Sequence, residues 1–220
     1  MSKPTRLVLI RHGESRVTVA RVIGGSRTCT GLSELGVRQA EALRDRLTAT
    51  GELDGADVLV SSTLPRARET AEIVAPALGG LPVEEIDDLR EHDPGEADGL
   101  SFDEFVERYG SPDLEQDPYL PLSPGGESLA GFHVRAATAL HALVRANEGR
   151  TVVVACHGGV IDAALRSFLR LPAVGAFDLF TKNTALTELV RAPSGRWRLL
   201  RYNDAAHLAG LPEATPPPGR

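Results

Sequence analysis

Cysteine is nearly absent from this chain: 2 of 220 residues, Cys29 and Cys156, are too few for a disulfide framework. Long apolar runs are missing too. The first, residues 7–10, follows a polar start and is too short for a signal peptide or a membrane span. Positive charge is not in excess, and a net charge of −6 argues against a general nucleic-acid or polyanion binder. An anionic substrate stays open, because a local arginine cluster can override the global sign. Six histidines are present, yet no His-x-x-x-His pair, no Cys/His quartet and no Gly-x-x-x-x-Gly-Lys-Ser/Thr loop. These absences predict a reduced, cytoplasmic protein with no metal, no cofactor, no nucleic-acid partner and no membrane partner. They fix no oligomeric state and leave a dimer open.

What remains is an ordinary globular composition, 42% hydrophobic and 25% charged, in a length that suits one domain with a substantial core. Short apolar runs alternate with helical patterns, which predicts an α/β fold around a mainly parallel sheet. Strands are expected at residues 7–10, 58–61, 83–86, 151–156, 185–190 and 197–202. A helix should run from an N-cap at Ser33 to about Ala49, with Val37, Ala40, Leu43 and Leu47 inward. Another should start at Pro65, whose missing N–H is harmless in a first turn, and bury Ala67, Ala71, Val74 and Leu78. A third spans about Ser128 to Ala146, with Leu129, Phe132, Ala136, Leu140 and Leu143 inward. A fourth follows Gly159 and ends before Pro172. Residues 92–127, rich in proline and glycine with one short helix near 102–108, look like a lid inserted over the sheet's carboxyl edge. They would belong to a single domain over 1–210. Residues 211–220 carry four prolines and are expected to be a disordered tail.

Chemistry concentrates at the ends of the apolar runs. Residues 7–10 lead straight into Arg11-His12-Gly13-Glu14-Ser15. A histidine there stands where open α/β sheets bind ligands. The arginine adds a fixed charge and a planar donor fork suited to phosphate. Imidazole can serve as nucleophile or base near neutral pH. A lone histidine at a strand end is more often a satisfied structural residue, so the later motifs decide. They are Arg66-Ala67-Arg68-Glu69-Thr70-Ala71 after Pro65, Leu89-Arg90-Glu91 before Gly95, and His157-Gly158-Gly159 at the end of 151–156.

In this order the motifs strongly resemble the histidine phosphatase superfamily, the phosphoglycerate mutase-like proteins, from Arg6 to about His207. The resemblance implies a three-layer α/β/α sandwich and a phosphohistidine formed on His12, resolved by water or another acceptor. It places Arg11, Arg66 and His157 around the transferring phosphoryl group, whose charge spreads over three oxygens. The family pattern Arg-Ala-x-x-Thr-Ala selects Arg66 over Arg68, which can pair with Glu72 at i,i+4 instead. The pattern Leu-x-Glu-x-x-x-Gly selects Glu91, among many acidic neighbours, as the acid that protonates the leaving oxygen. A solvated acidic loop is the less favoured alternative for that neighbourhood. Gly158 lets backbone approach a ligand, and Ser15 and the backbone near Gly24-Gly25 are further phosphate donors. Cys156 lacks the arginine six residues on that a cysteine phosphatase needs, and is expected to be a buried strand residue.

Departures from the family fall at the rim. Ala97-Asp98-Gly99 stands where Trp-Glu-Gly is frequent, and Thr18 lies near a frequent asparagine. Gly125-Gly126-Glu127-Ser128 resembles a family motif, although Glu127 could simply complement a helix dipole. From Glu91 to Glu127 there are eleven acidic residues and one basic residue, Arg108, a poor composition for gripping a bisphosphate. Phosphomonoester hydrolysis of a small phosphorylated metabolite is therefore expected over mutase transfer. A catalytically silent binding module is the remaining alternative, and no missing residue type supports it. The acidic segment either repels a second phosphate or merely faces solvent.

Overall fold

The computed structural model describes residues 3–111, 113, 116–172, 177 and 179–216. In chain order these form β1 (Thr5–Arg11), α1 (Arg16–Val19), α2 (Glu34–Thr50), β2 (Val58–Ser62), α3 (Pro65–Val74) and β3 (Val83–Ile86). There follow α4 (Phe102–Tyr109), α5 (Leu129–Ala146), β4 (Thr151–Cys156), α6 (Gly158–Leu169), β5 (Leu186–Arg191) and β6 (Trp197–Asp204). One sheet holds all six strands in the order β3-β2-β4-β1-β5-β6. β1, β2, β3 and β4 pair in parallel, whereas β5 is antiparallel to both β1 and β6.

Strands buried on both faces need continuous apolar runs, and β1 and β4 supply them. Alternate residues then serve opposite layers. Leu7, Leu9, Val152 and Val154 pack with Phe132, Leu140, Ile161 and Phe168 beneath α5 and α6. Val8, Ile10 and Val153 pack with Leu43, Leu47 and Val74 beneath α2 and α3. Two cores on one sheet make the α/β/α sandwich.

Two core positions differ from the sequence pattern. On α2, Val37 is half-buried while Gly36 and Gln39 are buried. The first turn of α2 packs on the loop after β1 rather than on the apolar core. Gln39 Oε1 accepts the Glu14 N–H at 2.9 Å. Gly13 and Gly36 meet backbone to backbone, so a Cβ on Gly13 would collide with the Gly36 carbonyl. Leu78 is buried as expected, but on a 3₁₀ turn, Ala75–Leu78, after α3 has ended.

The described part of the tail returns to the body of the protein. Thr215 N–H donates to Glu14 Oε1 at 2.7 Å, while Ser33 Oγ donates to Glu14 Oε2 at 2.6 Å. A buried carboxylate demands donors, and the returning chain provides one. Residues 217–220 lie outside the described residues. No helix among the described residues is long and apolar enough to cross a membrane.

Candidate active site

Strand register builds the centre. Arg11 is opposite Cys156 in the parallel β1–β4 pair, so the next residues, His12 and His157, leave the sheet side by side. Their rings lie 5.1 Å apart at an interplanar angle of 61°, both almost fully buried. His12 N–H continues the ladder to Cys156 O at 2.9 Å. Its Nδ1 lies 2.6 Å from Gly13 O, which can only accept, so the proton is on Nδ1 and Nε2 carries the lone pair. Arg66 Nε donates to that lone pair at 3.1 Å. Burial first, then the Arg66 and Arg11 charges, hold His12 well below the ordinary imidazole range.

Arg66 is itself buried, in the first turn of α3 after Pro65. Its Nη1 donates to Gly24 O at 3.3 Å. Thr70, one turn on, accepts the Gly13 N–H at 3.1 Å and donates to Arg66 O at 2.8 Å. One threonine thus fastens the loop after β1 to the arginine helix. Arg11 Nη1 donates to Thr181 O, and Gly158 sits beside Arg11, its Cβ position 3.8 Å from Arg11 Nε.

His157 is fully buried and also held well below the imidazole range, by burial first and then by Arg66, His12 and Arg11. Its Nε2 lies 2.8 Å from Ser62 Oγ, which accepts the Leu64 N–H at 3.2 Å. When the Ser62 hydroxyl donates to Nε2, His157 carries its proton on Nδ1. That atom is buried without a partner among the described residues. Glu91 closes the centre from the α6 side. Its Oε2 accepts the Gly159 N–H at 3.1 Å and its Oε1 accepts the His92 N–H at 3.1 Å. A Cβ on Gly159 would run into Glu91 and Phe132, so only glycine admits the carboxylate here. Burial pushes the Cys156 thiol far up, which leaves it inert. Two arginines and two neutral histidines around one lone pair can bind and receive a phosphoryl group.

A family model described as histidine phosphatase superfamily (branch 1) matches residues 7–205. The chain belongs to the histidine phosphatase superfamily. It is similar to a metal-independent phosphoserine phosphatase of Arabidopsis thaliana, 30% identical over 96% of this chain and 86% of that one. It is also similar to a 2,3-bisphosphoglycerate-dependent phosphoglycerate mutase of Parvibaculum lavamentivorans, 34% identical over 76% and 81%. Among solved structures, a mycobacterial glucosyl-3-phosphoglycerate phosphatase superposes with a TM-score of 0.77, 29% identity, and coverage of 92% and 100%. This histidine phosphatase hydrolyses phosphomonoesters through a phosphohistidine.

The other expected site residues fall in three places. Ser15 is buried as the N-cap of α1, its Oγ 2.9 Å from Thr18 Oγ1 and accepting the Thr18 N–H. No contact joins its side chain to His12. Arg68 faces away, half-exposed, 3.7 Å from Glu72 and 4.0 Å from Glu85. The Gly24-Gly25 backbone does reach the centre, through Arg66. Asp98 holds that loop by accepting from Gly25 N at 2.9 Å, Arg27 N at 2.8 Å and the Thr28 hydroxyl.

Several carboxylates of the acidic segment are spent on their own loops rather than left free to face the pocket or solvent. Asp98 serves the loop, Glu104 closes a capping box with Ser101, and Asp93 Oδ1 accepts the Gly95 N–H at 2.9 Å. Glu115 lies outside the described residues.

The segment before β5 carries no recognisable motif, yet it cradles the loop after β1 in this histidine phosphatase. Asn183 Nδ2 donates to His12 O at 2.9 Å and Thr184 N–H donates to Arg11 O at 2.8 Å. Thr184 takes φ 53°, a conformation that β-branched residues rarely adopt. Its Oγ1 is bonded to His207 Nε2 at 2.8 Å. Only an Asn-Thr pair in a polar loop marks this segment in the sequence. Among the described residues no group of three or more His, Cys, Asp or Glu is placed to hold a metal ion.

Proposed function

We propose that His12 is the nucleophile, Glu91 the proton donor and acceptor, and water the acceptor of the phosphoryl group. The single observation that carries this is the His12 tautomer. Nδ1–H is fixed on Gly13 O and the Nε2 lone pair faces Arg66 in a cationic pocket. A phosphate monoester enters between Nε2 and the guanidinium, and Arg11, Arg66 and His157 hold its three non-bridging oxygens. Nε2 bonds to phosphorus as the phosphorus–oxygen ester bond breaks, and the Glu91 proton goes to the leaving oxygen. The free carboxylate of Glu91 then takes a proton from water, whose oxygen attacks phosphorus while the phosphorus–nitrogen bond returns its electrons to Nε2. Inorganic phosphate leaves.

The substrate is a small phosphorylated metabolite, and the phosphoserine and glucosyl-phosphoglycerate phosphatases among its relatives support that class. Water is favoured over a second substrate hydroxyl by composition: residues 91–127 hold eleven acidic residues and one basic residue, a poor supply of cations for a second phosphate. The test is product partition in excess EDTA, with 3-phosphoglycerate primed by its bisphosphate. Inorganic phosphate should form without isomerised phosphoglycerate. Predominant isomer formation would establish the mutase, and a loss of turnover restored by one metal would overturn the metal-free reading.

The rate should be bell-shaped in pH. His12 must be neutral to attack. Because its folded value is depressed, the acid limb lies well below the ordinary imidazole range. The alkaline limb is assigned to loss of the proton that Glu91 delivers to the leaving oxygen. Glu91→Gln is expected to flatten the alkaline limb and to slow alkyl phosphates most. An unchanged alkaline limb in that variant would remove Glu91 from the reaction.

A further inference from the structure

Glu91 stands on an irregular stretch with no strand or helix to hold its backbone. A 3₁₀ turn, Asp87–Leu89, precedes it, and a second, Gly95–Ala97, follows. Misplacement of a proton donor by about an ångström is costly to catalysis, so something outside the stretch has to fix it.

One side chain of α5 spans the whole of it. Arg135 Nη1 donates to Asp88 O at 2.8 Å and to Arg90 O at 3.1 Å, and Nη2 donates to Glu91 O at 3.4 Å. The same guanidinium grips Glu127 as a fork, Nε to Oε1 at 2.7 Å and Nη2 to Oε2 at 2.6 Å. All five guanidinium N–H groups are therefore spent on this stretch and its brace. Glu127 holds the far side. Its carboxylate accepts the Asp93 N–H at 3.0 Å, its N–H donates to Asp93 O at 2.9 Å, and its carbonyl oxygen lies 2.8 Å from His92 Nε2. Phe132, one turn before Arg135, lies under the guanidinium at 5.3 Å and also walls Gly159, the donor to Glu91.

We propose that Arg135 and Glu127 are positioning residues for leaving-group protonation, acting together by clamping residues 88–93 so that the Glu91 carboxylate stays beside Gly159 and the His12 pocket. This rests on Glu91 being the proton donor. Neither residue touches the phosphoryl group. A lysine cannot replace Arg135, because three donors on a flexible stem cannot serve three carbonyls and a carboxylate fork together.

The readout is leaving-group dependence. p-Nitrophenolate leaves without much help from an acid, whereas an alkoxide needs its proton. For Arg135→Lys and Glu127→Gln, the ratio of kcat/KM on phosphoserine to that on p-nitrophenyl phosphate is expected to fall about 10- to 100-fold, part of the 10²–10⁴ that a positioned acid supplies. In a Glu91→Gln background neither substitution should lower the ratio further, because the acid it would position is gone. A parallel loss on both substrates, or a further drop of the ratio in the Glu91→Gln background, overturns the clamp. Failure of the acid assignment looks different: Glu91→Gln alone would then leave the ratio unchanged. Should Arg135→Lys not fold, the near-isosteric Glu127→Gln decides by the same ratio.

Discussion

His12→Ala is expected to lower turnover of any phosphomonoester by about 10⁴–10⁶-fold, the range seen when a covalent nucleophile is removed. The substitution deletes the attacking Nε2 and leaves the backbone intact. The bonds from His12 N to Cys156 O and from Asn183 to His12 O do not involve the ring. Thermal unfolding should therefore stay cooperative, and the loss can be read as chemistry. In the wild type, rapid quenching without acid, followed by mass spectrometry, should find a phosphate on His12 that disappears with time as phosphate is released. The neutral ring is ready over most of the working pH range, because burial and two arginines oppose its protonation. A phosphate trapped on Cys156, or full activity in His12→Ala, would end the phosphohistidine assignment to this residue.

Arg66→Ala should cost about 10²–10³-fold in kcat, the usual effect of removing one preorganised donor from a developing charge. The neighbouring Arg68→Ala should leave kcat nearly unchanged and cost about 0.3–0.5 kcal/mol of stability. The contrast follows from helix geometry. Residue 66 points inward at His12 and Gly24, while residue 68, two positions along, turns to solvent and to Glu72. Arg66→Lys should recover little, since a lysine cannot place donors on both the nucleophile and the Gly24 carbonyl. Steady-state kinetics on purified variants, with unfolding midpoints alongside, checks both halves. If Arg68→Ala were the more damaging, the anion site would lie on the other face of α3.

What the sequence determined by itself was everything local. Apolar runs at 7–10 and 151–156 mark strands buried on both faces. Ser33, Pro65 and Ser128 mark helix starts, and Arg11-His12, Arg66 and His157-Gly158 stand at element ends where a ligand can reach. These are properties of neighbouring residues, so a linear pattern carries them. The tertiary structure decided what depends on which strands are adjacent and which loops return. The β1–β4 register brings His12 and His157 ring to ring across 145 residues of chain. Asn183 and Thr184 hold the backbone of Arg11 and His12 from a loop with no pattern of its own. Ser15, expected as a phosphate donor, is placed by the fold at the start of α1, where its oxygen accepts the Thr18 N–H. Asp98 and Glu127 read as two of many carboxylates in an acidic segment. Only their partners, the Gly25–Thr28 loop and Arg135, separate them from the rest, since charge is visible in a sequence and the donor that meets it is not.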